Sequence, residues 1–384
     1  MTYPPDPRIE EAKGQDIEAL CDRLGLAGLK RRSCELAGPC PNCGGTNRFN
    51  VNLRSGLFLC RQCDVRGGDA IALVMQVMSL SFPDALTWIC GAAPADEVER
   101  ARREARARAD RGKRDAESDR HRAAAIAAAR RIWAQGRPAT GTPVQYYLER
   151  RGLSRRWLPM LPGALRYHPG LKYMEHSAAR KEWVEVHRGP AMLAKMVLPD
   201  GSFGGVHRTW IDLDRPGGKI AIPREGEFAG KVAGETFDAK KTLGAKRGGT
   251  IRLAVDPAAS TMVVGEGIET TLTALVAGVF PAATFLCAID LGNMAGQRLP
   301  VPTKSGGQSK RFSDLPDMDD DRAFVPPAWV RRLVFIQDGD SEPRFTRACL
   351  TAGLRRAMRL RPGIECQIWP APVGKDLNDL LEAE

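Results

Sequence analysis

No stretch of about eighteen or more apolar residues occurs in the sequence, and its start, MTYPPDPRIEEAKGQD, is polar. A membrane-spanning helix and a secretory leader are therefore not expected, and the chain reads as cytoplasmic with no membrane partner. Gly-x-x-x-x-Gly-Lys-Ser/Thr is also missing, which excludes a P-loop nucleotide hydrolase within these residues. None of the five histidines stands at metal-ligand spacing, so neither His207 nor the others are assigned a role. The turn Gly265-Glu266-Gly267 lacks the third glycine of a dinucleotide-binding fingerprint. From Glu97 to Arg131 there is no aromatic residue and almost no branched apolar one. That segment, rich in Arg, Ala, Glu and Asp, reads as a charged solvated helix or a flexible linker.

What is present is a chain of 384 residues, 43% hydrophobic, with room for two or three domains and a real core. Its formal net charge of +11 favours a polyanionic partner such as nucleic acid. Ten cysteines in a cytoplasmic protein point to metal ligation or free thiols rather than disulfides.

Four of them are patterned. Cys40 and Cys43, then Cys60 and Cys63, form two Cys-x-x-Cys knuckles with sixteen residues between them, the spacing of a structural zinc ribbon. The residues between, Arg48 to Asn52 and Gly56 to Leu59, alternate like a hairpin joining the knuckles. Four thiolates fill a tetrahedral ion, so one zinc here holds structure and does no chemistry. Cys34 lies outside the pattern; Cys21, Cys90, Cys287, Cys349 and Cys366 read as small buried residues. Before the ribbon, Asp16 to Leu29 reads as a short amphipathic helix; after it, Ile71 to Cys90 reads as one or two helices.

From Ile132 the composition is globular again. Trp133 and Tyr146 to Leu148 fall in helix-like stretches, and strands dominate from Leu165 to Arg252. Ala191 to Val197, an Asp-Gly turn and Gly205 to Ile211 read as a hairpin. A basic, Gly-rich segment follows, with Lys240, Lys241, Lys246 and Arg247. Then strands and helices alternate, which implies a parallel sheet with right-handed crossovers. Met262 to Gly265 ends in Glu266, with Glu269 opening the next helix; Leu333 to Gln337 ends in Asp338-Gly339-Asp340. In such sheets ligands sit beyond the carboxyl ends of the strands. If the two strands are neighbours, Glu266, Asp338 and Asp340 converge there. Carboxylates so grouped need a cation, and hard oxygen ligands suit Mg²⁺ or Mn²⁺. Asp317, Asp319, Asp320 and Asp321, in a long polar excursion from Met294 to Pro327, read as a solvated acidic loop.

Strand-Gly-Glu-Gly-x-Glu-helix followed by strand-Asp-x-Asp resembles the Toprim domain of bacterial-type DNA primases, topoisomerases and some nucleases, over roughly residues 251–384. Cys-Pro-x-Cys-Gly-Gly, the Arg48-Phe49 pair, the second knuckle and Arg66 to Ile71 resemble the zinc-binding domain of phage and bacterial primases, in the four-cysteine version of phage primase-helicases. Lys375-Asp376-Leu377-Asn378-Asp379 matches a Lys-Asp-x-Asn-Asp signature that closes phage Toprim primases. The resemblance implies α/β and α+β domains in order: a β-rich zinc ribbon (1–95), a charged helical linker (96–131), a basic α+β subdomain (132–250) and a Toprim domain with a Rossmann-like parallel sheet (251–384).

What the resemblance implies for function is a primase, making short oligonucleotides from nucleoside triphosphates on single-stranded DNA. Asp338 and Asp340 would bind one to three Mg²⁺ or Mn²⁺ ions. Glu266 would be a ligand or the general base, and Asp376 could support a further metal. Glu269 would support the metal site or merely favour the helix N-terminus through the dipole. Lys241 foremost, then Lys246, Arg208 and Lys240, would neutralise template and triphosphate. Arg48, Phe49, Arg61 and Arg66 would touch the template, Phe49 being equally readable as ribbon core. With no P-loop in the sequence the primase would need a separate helicase as partner or work without one, in a phage, plasmid or integrated element. A Toprim nuclease is the rival within the family, though such nucleases lack a leading ribbon of this type. A non-catalytic single-strand-binding replication module is the rival outside enzymes. A topoisomerase would need a nucleophilic tyrosine and a DNA gate, and the five tyrosines all precede the Toprim part.

Overall fold

The computed structural model describes residues 6, 8–63, 65–92, 97–229, 234–299, 313–320, 323–337 and 342–370. It divides into two compact units, residues 1–120 with 175–184 and residues 121–174 with 185–384. The architecture is mixed α+β, with a small β-rich N-terminal part and a large mixed sheet.

The first unit opens with α1 (Arg8–Lys13) and α2 (Ile17–Arg23), the latter capped by Asp16, which accepts from the Ala19 N–H. A helix reaching Leu29 is not what forms. Gly25 and Gly28 take positive φ (66° and 80°) and stop it early. Five strands follow in sequential order: β1 (Lys30–Arg32), β2 (Glu35–Cys40), β3 (Gly44–Asn52), β4 (Phe58–Cys60) and β5 (Arg66–Gly67). Alternation along β3 sends Phe49 and Val51 inward and Arg48 outward. Phe58 packs at 5.9 Å from Phe49, ring to ring, and a Cβ at Gly67 would lie 2.5 Å from the Phe58 ring, which is why glycine stands there. Then α3 (Ala70–Met78), capped by Asp69, and α4 (Phe82–Cys90), capped by Ser81, close this core with Leu73, Val74 and Leu86. Of the single cysteines in this unit, Cys21 is buried while Cys34 and Cys90 are half-buried.

The charged segment is helical throughout. It forms α5 (Glu97–Gln135), as the strong helix propensity of its Ala, Arg and Glu allows. In the second unit come β6 (Arg137–Pro138), α6 (Pro143–Arg150), β7 (Leu165–Ser177), β8 (Glu182–Val197), β9 (Phe203–Trp210), β10 (Lys240–Gly244) and β11 (Thr250–Ala254). Alternating strands and helices complete it: β12 (Thr261–Gly265), α7 (Ile268–Val276), β13 (Ala283–Cys287), α8 (Leu291–Ala295), β14 (Arg332–Gln337), α9 (Pro343–Leu360) and β15 (Glu365–Pro370). One sheet runs through all of these strands, in the order β10-β9-β8-β11-β13-β12-β14-β15 with β7 and β6 branching from β8. The sheet is continuous across residue 250, where β11 pairs antiparallel with both β8 and β13.

The last four strands are parallel, and their central members are buried along almost their whole length because helices cover both faces. Met262, Val264, Leu333 and Phe335 face α9 and α8; Val263, Val334 and Ile336 face α7. The described part of the polar excursion is organised by Arg356. That residue is buried in α9 and donates to the carbonyls of Asp317 (2.8 Å), Asp320 (3.3 Å) and Gln297 (2.8 Å). Among the described residues no single helix is long and apolar enough to cross a membrane.

Candidate functional site

The two knuckles bring their thiols together. All four Sγ atoms of Cys40, Cys43, Cys60 and Cys63 lie within 4.8 Å of one another, with Cys40–Cys63 at 3.6 Å and Cys43–Cys60 at 3.5 Å. Tetrahedral zinc, with Zn–S near ~2.3 Å, needs sulfurs about 3.8 Å apart. The turns also donate to the sulfurs: the N–H groups of Asn42 and Gln62 each lie 3.4 Å from the first thiol of their knuckle. Donors aimed at sulfur favour thiolate, the metal-binding form. Spacing, separation and donors together make this a zinc site. Arg48, Arg61 and Arg66 are exposed around it, and the Arg61 N–H donates to the Arg48 carbonyl. Phe49 is fully buried, so it belongs to the ribbon core and has no ring face open to a base.

In the second unit, β12 and β14 are parallel neighbours, with Val264 opposite Phe335. Chain order places β13 on one side of β12 and β14 on the other, so the gap between β12 and β14 is where connections reverse, the usual ligand crevice of such sheets. Glu266 follows β12 directly and is half-buried; its carbonyl accepts from the Cys287 thiol (3.1 Å). Gly265 admits no side chain, since a Cβ there would meet Thr271 Oγ1 at 2.4 Å and push α7 off the strand. Asp338 and Asp340, which follow β14 in the sequence, and Asp376 lie outside the described residues.

Glu269, in the first turn of α7, is the centre of a buried polar cluster. Its side chain is 5% exposed, accepts from the Tyr147 hydroxyl and the Lys240 ammonium (3.4 Å), and pairs with Lys219 (3.5 Å). Burial opposes its charge, but Lys240, Lys219 and the phenol outweigh that and hold the carboxyl far below the usual carboxylate range. The lysines differ. Glu269 raises Lys240 above its ordinary value, whereas desolvation brings Lys219 down with Glu269 offsetting only part of the shift. Two ammonium groups share one carboxylate, so the cluster carries an excess positive charge, which suits an anion. His207 is buried against it, pushed down to about 4 by desolvation and then by Lys240, and stays neutral.

The expected cations separate onto two faces of one sheet edge. In the β9–β10 pair, Lys240 stands opposite Thr209 and Lys241 opposite Arg208. Neighbouring positions on a strand point to opposite faces. Lys240 therefore shares a face with His207 and reaches Glu269. Lys241 turns the other way, lying 4.2 Å over the Tyr173 ring and donating to the Met174 carbonyl at 2.7 Å. Arg208 joins it there, 5.4 Å over the Trp210 ring, and desolvation lowers it to about 10. Lys246 pairs with Asp290, which caps α8 by accepting from the Asn293 N–H (2.8 Å). Asn293 in turn accepts from the Gly248 N–H and donates to the Gly249 and Ala288 carbonyls, tying the basic loop to the end of β13.

The sequence assigns no site role to Lys219, Tyr147, Asp290 or Asn293, and it sets His207 aside for want of metal spacing. Tyr147 lies 122 residues from Glu269, so no spacing betrays the contact.

Residues 35–71 match the family model described as the zinc-binding domain of primase-helicase. Residues 123–253 match a domain of unknown function, DUF7146. Among solved structures, a DNA primase domain from Pseudomonas aeruginosa is similar at 13% identity and a TM-score of 0.29. That match covers 55% of this chain and spans about half (52%) of the other. The zinc-binding part of the chain is thus primase-like.

Proposed function

We propose that the protein is a DNA primase, joining nucleoside triphosphates into short oligonucleotides on a single-stranded DNA template. The reaction is nucleotidyl transfer: a 3′-hydroxyl attacks the α-phosphate of the next nucleotide and pyrophosphate leaves. The observation that carries this reading is the likeness of residues 35–71 to the zinc-binding domain of primase-helicase. The strand-terminal Glu266 beside the Glu269 cluster is consistent with it.

Carboxylate oxygens are the donor set that hard divalent cations take, and Glu266, Asp338 and Asp340 are the residues that would hold Mg²⁺ or Mn²⁺, with Asp376 in support. Bound there, the ion would supply charge neutralisation at the reacting phosphate. The chain's own contribution is positional. Lys219 and Lys240 offer their excess charge to the triphosphate, and Glu269 holds both in place as their counter-ion rather than as a metal ligand. Lys246 is engaged by Asp290, and Lys241 lies on the opposite sheet face from Lys240. Arg48, Arg61 and Arg66 of the ribbon hold template phosphates. A separate helicase would open the duplex.

A de novo synthesis assay tests this, with purified protein, mixed-sequence single-stranded DNA, labelled nucleoside triphosphates and divalent metal. Short labelled products are expected, and Asp338→Ala is expected to abolish them. Metal-dependent loss of template without products would make the protein a Toprim-type nuclease. Tight binding with neither product nor cleavage would make it a non-catalytic replication module.

A further inference from the structure

The carboxyl end of α6 and the turn that follows it expose two aromatic rings beside a cluster of arginines. Tyr146 is 48% exposed on the outer side of α6, one residue from the inward-facing Tyr147, and Trp157 is 51% exposed in the turn Ser154 to Leu158. Each ring already has a guanidinium near one face: Arg155 lies 4.9 Å from the Tyr146 centroid and Arg156 lies 5.1 Å from that of Trp157. Single exposed apolar residues are ordinary. Two large exposed rings, joined by the run Arg155-Arg156-Trp157 whose first member lies over Tyr146, are the parts of a stacking platform.

The charge continues toward the Glu269 cluster. Arg150, at the last turn of α6, donates to the Arg215 carbonyl at 3.4 Å. Arg151 comes next: its Nη1 would lie 3.8 Å from a Cβ at Gly217, and its charge helps lower Lys219. Cations thus extend from Lys219 to Arg151 and its neighbour Arg150 at the end of α6, and the turn that follows in the chain carries Arg155 and Arg156. The acids on this surface are fewer. Glu149 is paired with Arg155, and Asp212 and Asp214 sit in the turn before Arg215. Exposed rings set among several arginines fit a flexible polyanion whose bases can splay, and fit a stacked duplex poorly, because its bases present no free faces.

We propose that this face binds single-stranded nucleic acid, with Tyr146 and Trp157 stacking bases and Arg150, Arg156 and Arg215 along the backbone. The binding is independent of the ribbon and of any reaction at Glu266.

The test is fluorescence anisotropy of the full-length protein with a labelled oligothymidine, and separately with a labelled duplex. No nucleoside triphosphate or magnesium is added, so a protein without synthetic activity would still give the result. Tyr146→Ala with Trp157→Ala is expected to weaken oligothymidine binding roughly ten-fold or more while changing duplex binding little. Arg150→Glu with Arg156→Glu is expected to flatten the salt dependence of log K by about two phosphate contacts. Arg48→Ala with Arg61→Ala, run in parallel, measures the ribbon's separate share. Should the aromatic double variant lower the thermal midpoint, the arginine pair alone decides the question. Oligothymidine affinity within about two-fold of wild type in both folded variants would overturn the proposal. So would equal weakening for single strand and duplex.

Discussion

In the ribbon, the four sulfurs come from two short turns, Cys40 to Cys43 and Cys60 to Cys63, and each turn donates to its own thiol from its own backbone. Around Glu269 nothing is local: Tyr147 comes from α6, Lys219 from the turn after β9, and Lys240 from β10. The ribbon gathers negative charge and requires a cation from outside. The Glu269 cluster supplies its own cations and keeps one in excess. A metal site so built collapses when its ion leaves, whereas an internal ion cluster fails when any one member is changed.

The largest effect expected is at the ribbon. Cys60→Ser removes one of four ligands, and structural zinc contributes on the order of 10 kcal/mol to domains of this kind. Zinc content measured by a colorimetric chelator assay should fall from one per chain to near none. Amide exchange should rise across β2 to β5, with α7 and its neighbours unaffected. Retention of zinc with three thiols would blur the contrast between the two regions.

Next comes Glu269→Gln, which leaves two ammonium groups in a mostly buried site without a counter-charge. The expected cost is about 3–5 kcal/mol, the range for breaking a buried pair by removing one partner. Urea unfolding followed by Trp fluorescence measures it. A carboxylate serving a catalytic divalent ion would behave in the opposite way: its loss would reduce metal affinity and leave stability nearly unchanged. The wild-type contribution should also vanish with acid. The carboxyl's folded value lies below its unfolded one, so the stability it lends is present at neutral pH and is lost as pH falls below about 4.

These two substitutions also mark how much could be read from the chain. The knuckles were legible because ligands three residues apart define a turn by themselves, and the strand-turn-helix around Glu266 was legible because Gly265 and Gly267 bracket it. The hairpin β8–β9 and the alternation after residue 261 emerged from period alone. Which lysine serves the site did not. Lys240 and Lys241 are equivalent in sequence, and only the pairing of Lys240 with Thr209 decides which one reaches Glu269; a one-residue slip would exchange them. Phe49 stood open between core and surface because its period-2 neighbours allowed either face until β3 was paired. Asp338, Asp340 and Asp376 lie outside the described residues, so the second half of the acidic motif rests on sequence alone.

His207 sharpens the comparison at smaller cost. It is buried and held neutral, its value pushed down to about 4 from an ordinary ~6.5 by desolvation first and Lys240 second. The unfolded chain therefore takes up a proton through that window while the folded one does not. Stability should fall as pH drops from about 6.5 to 4, by about 3 kcal/mol at most from this group. His207→Gln should flatten that segment of the profile relative to wild type, as read from urea midpoints at several pH values. A parallel slope in the two proteins would mean that water reaches the ring.

The smallest effect separates packing from charge in the cluster. Tyr147 is buried and fills the space against Gly218, where a Cβ would come within 2.8 Å of its ring, so its body anchors α6 whatever its hydroxyl does. Tyr147→Phe keeps that body and removes only the donor to Glu269. Because Lys240 and Lys219 still face the carboxylate, the loss should be about 1.5–3 kcal/mol, the scale of one hydrogen bond to a charged group and below that of Glu269→Gln. If the two substitutions cost the same, the phenol rather than the lysines would be holding the charge. The excess positive charge assigned to Lys219 and Lys240 would then have to be counted again. If Tyr147→Phe costs nothing, the lysines alone suffice, and the hydroxyl contributes direction to Glu269 rather than stability.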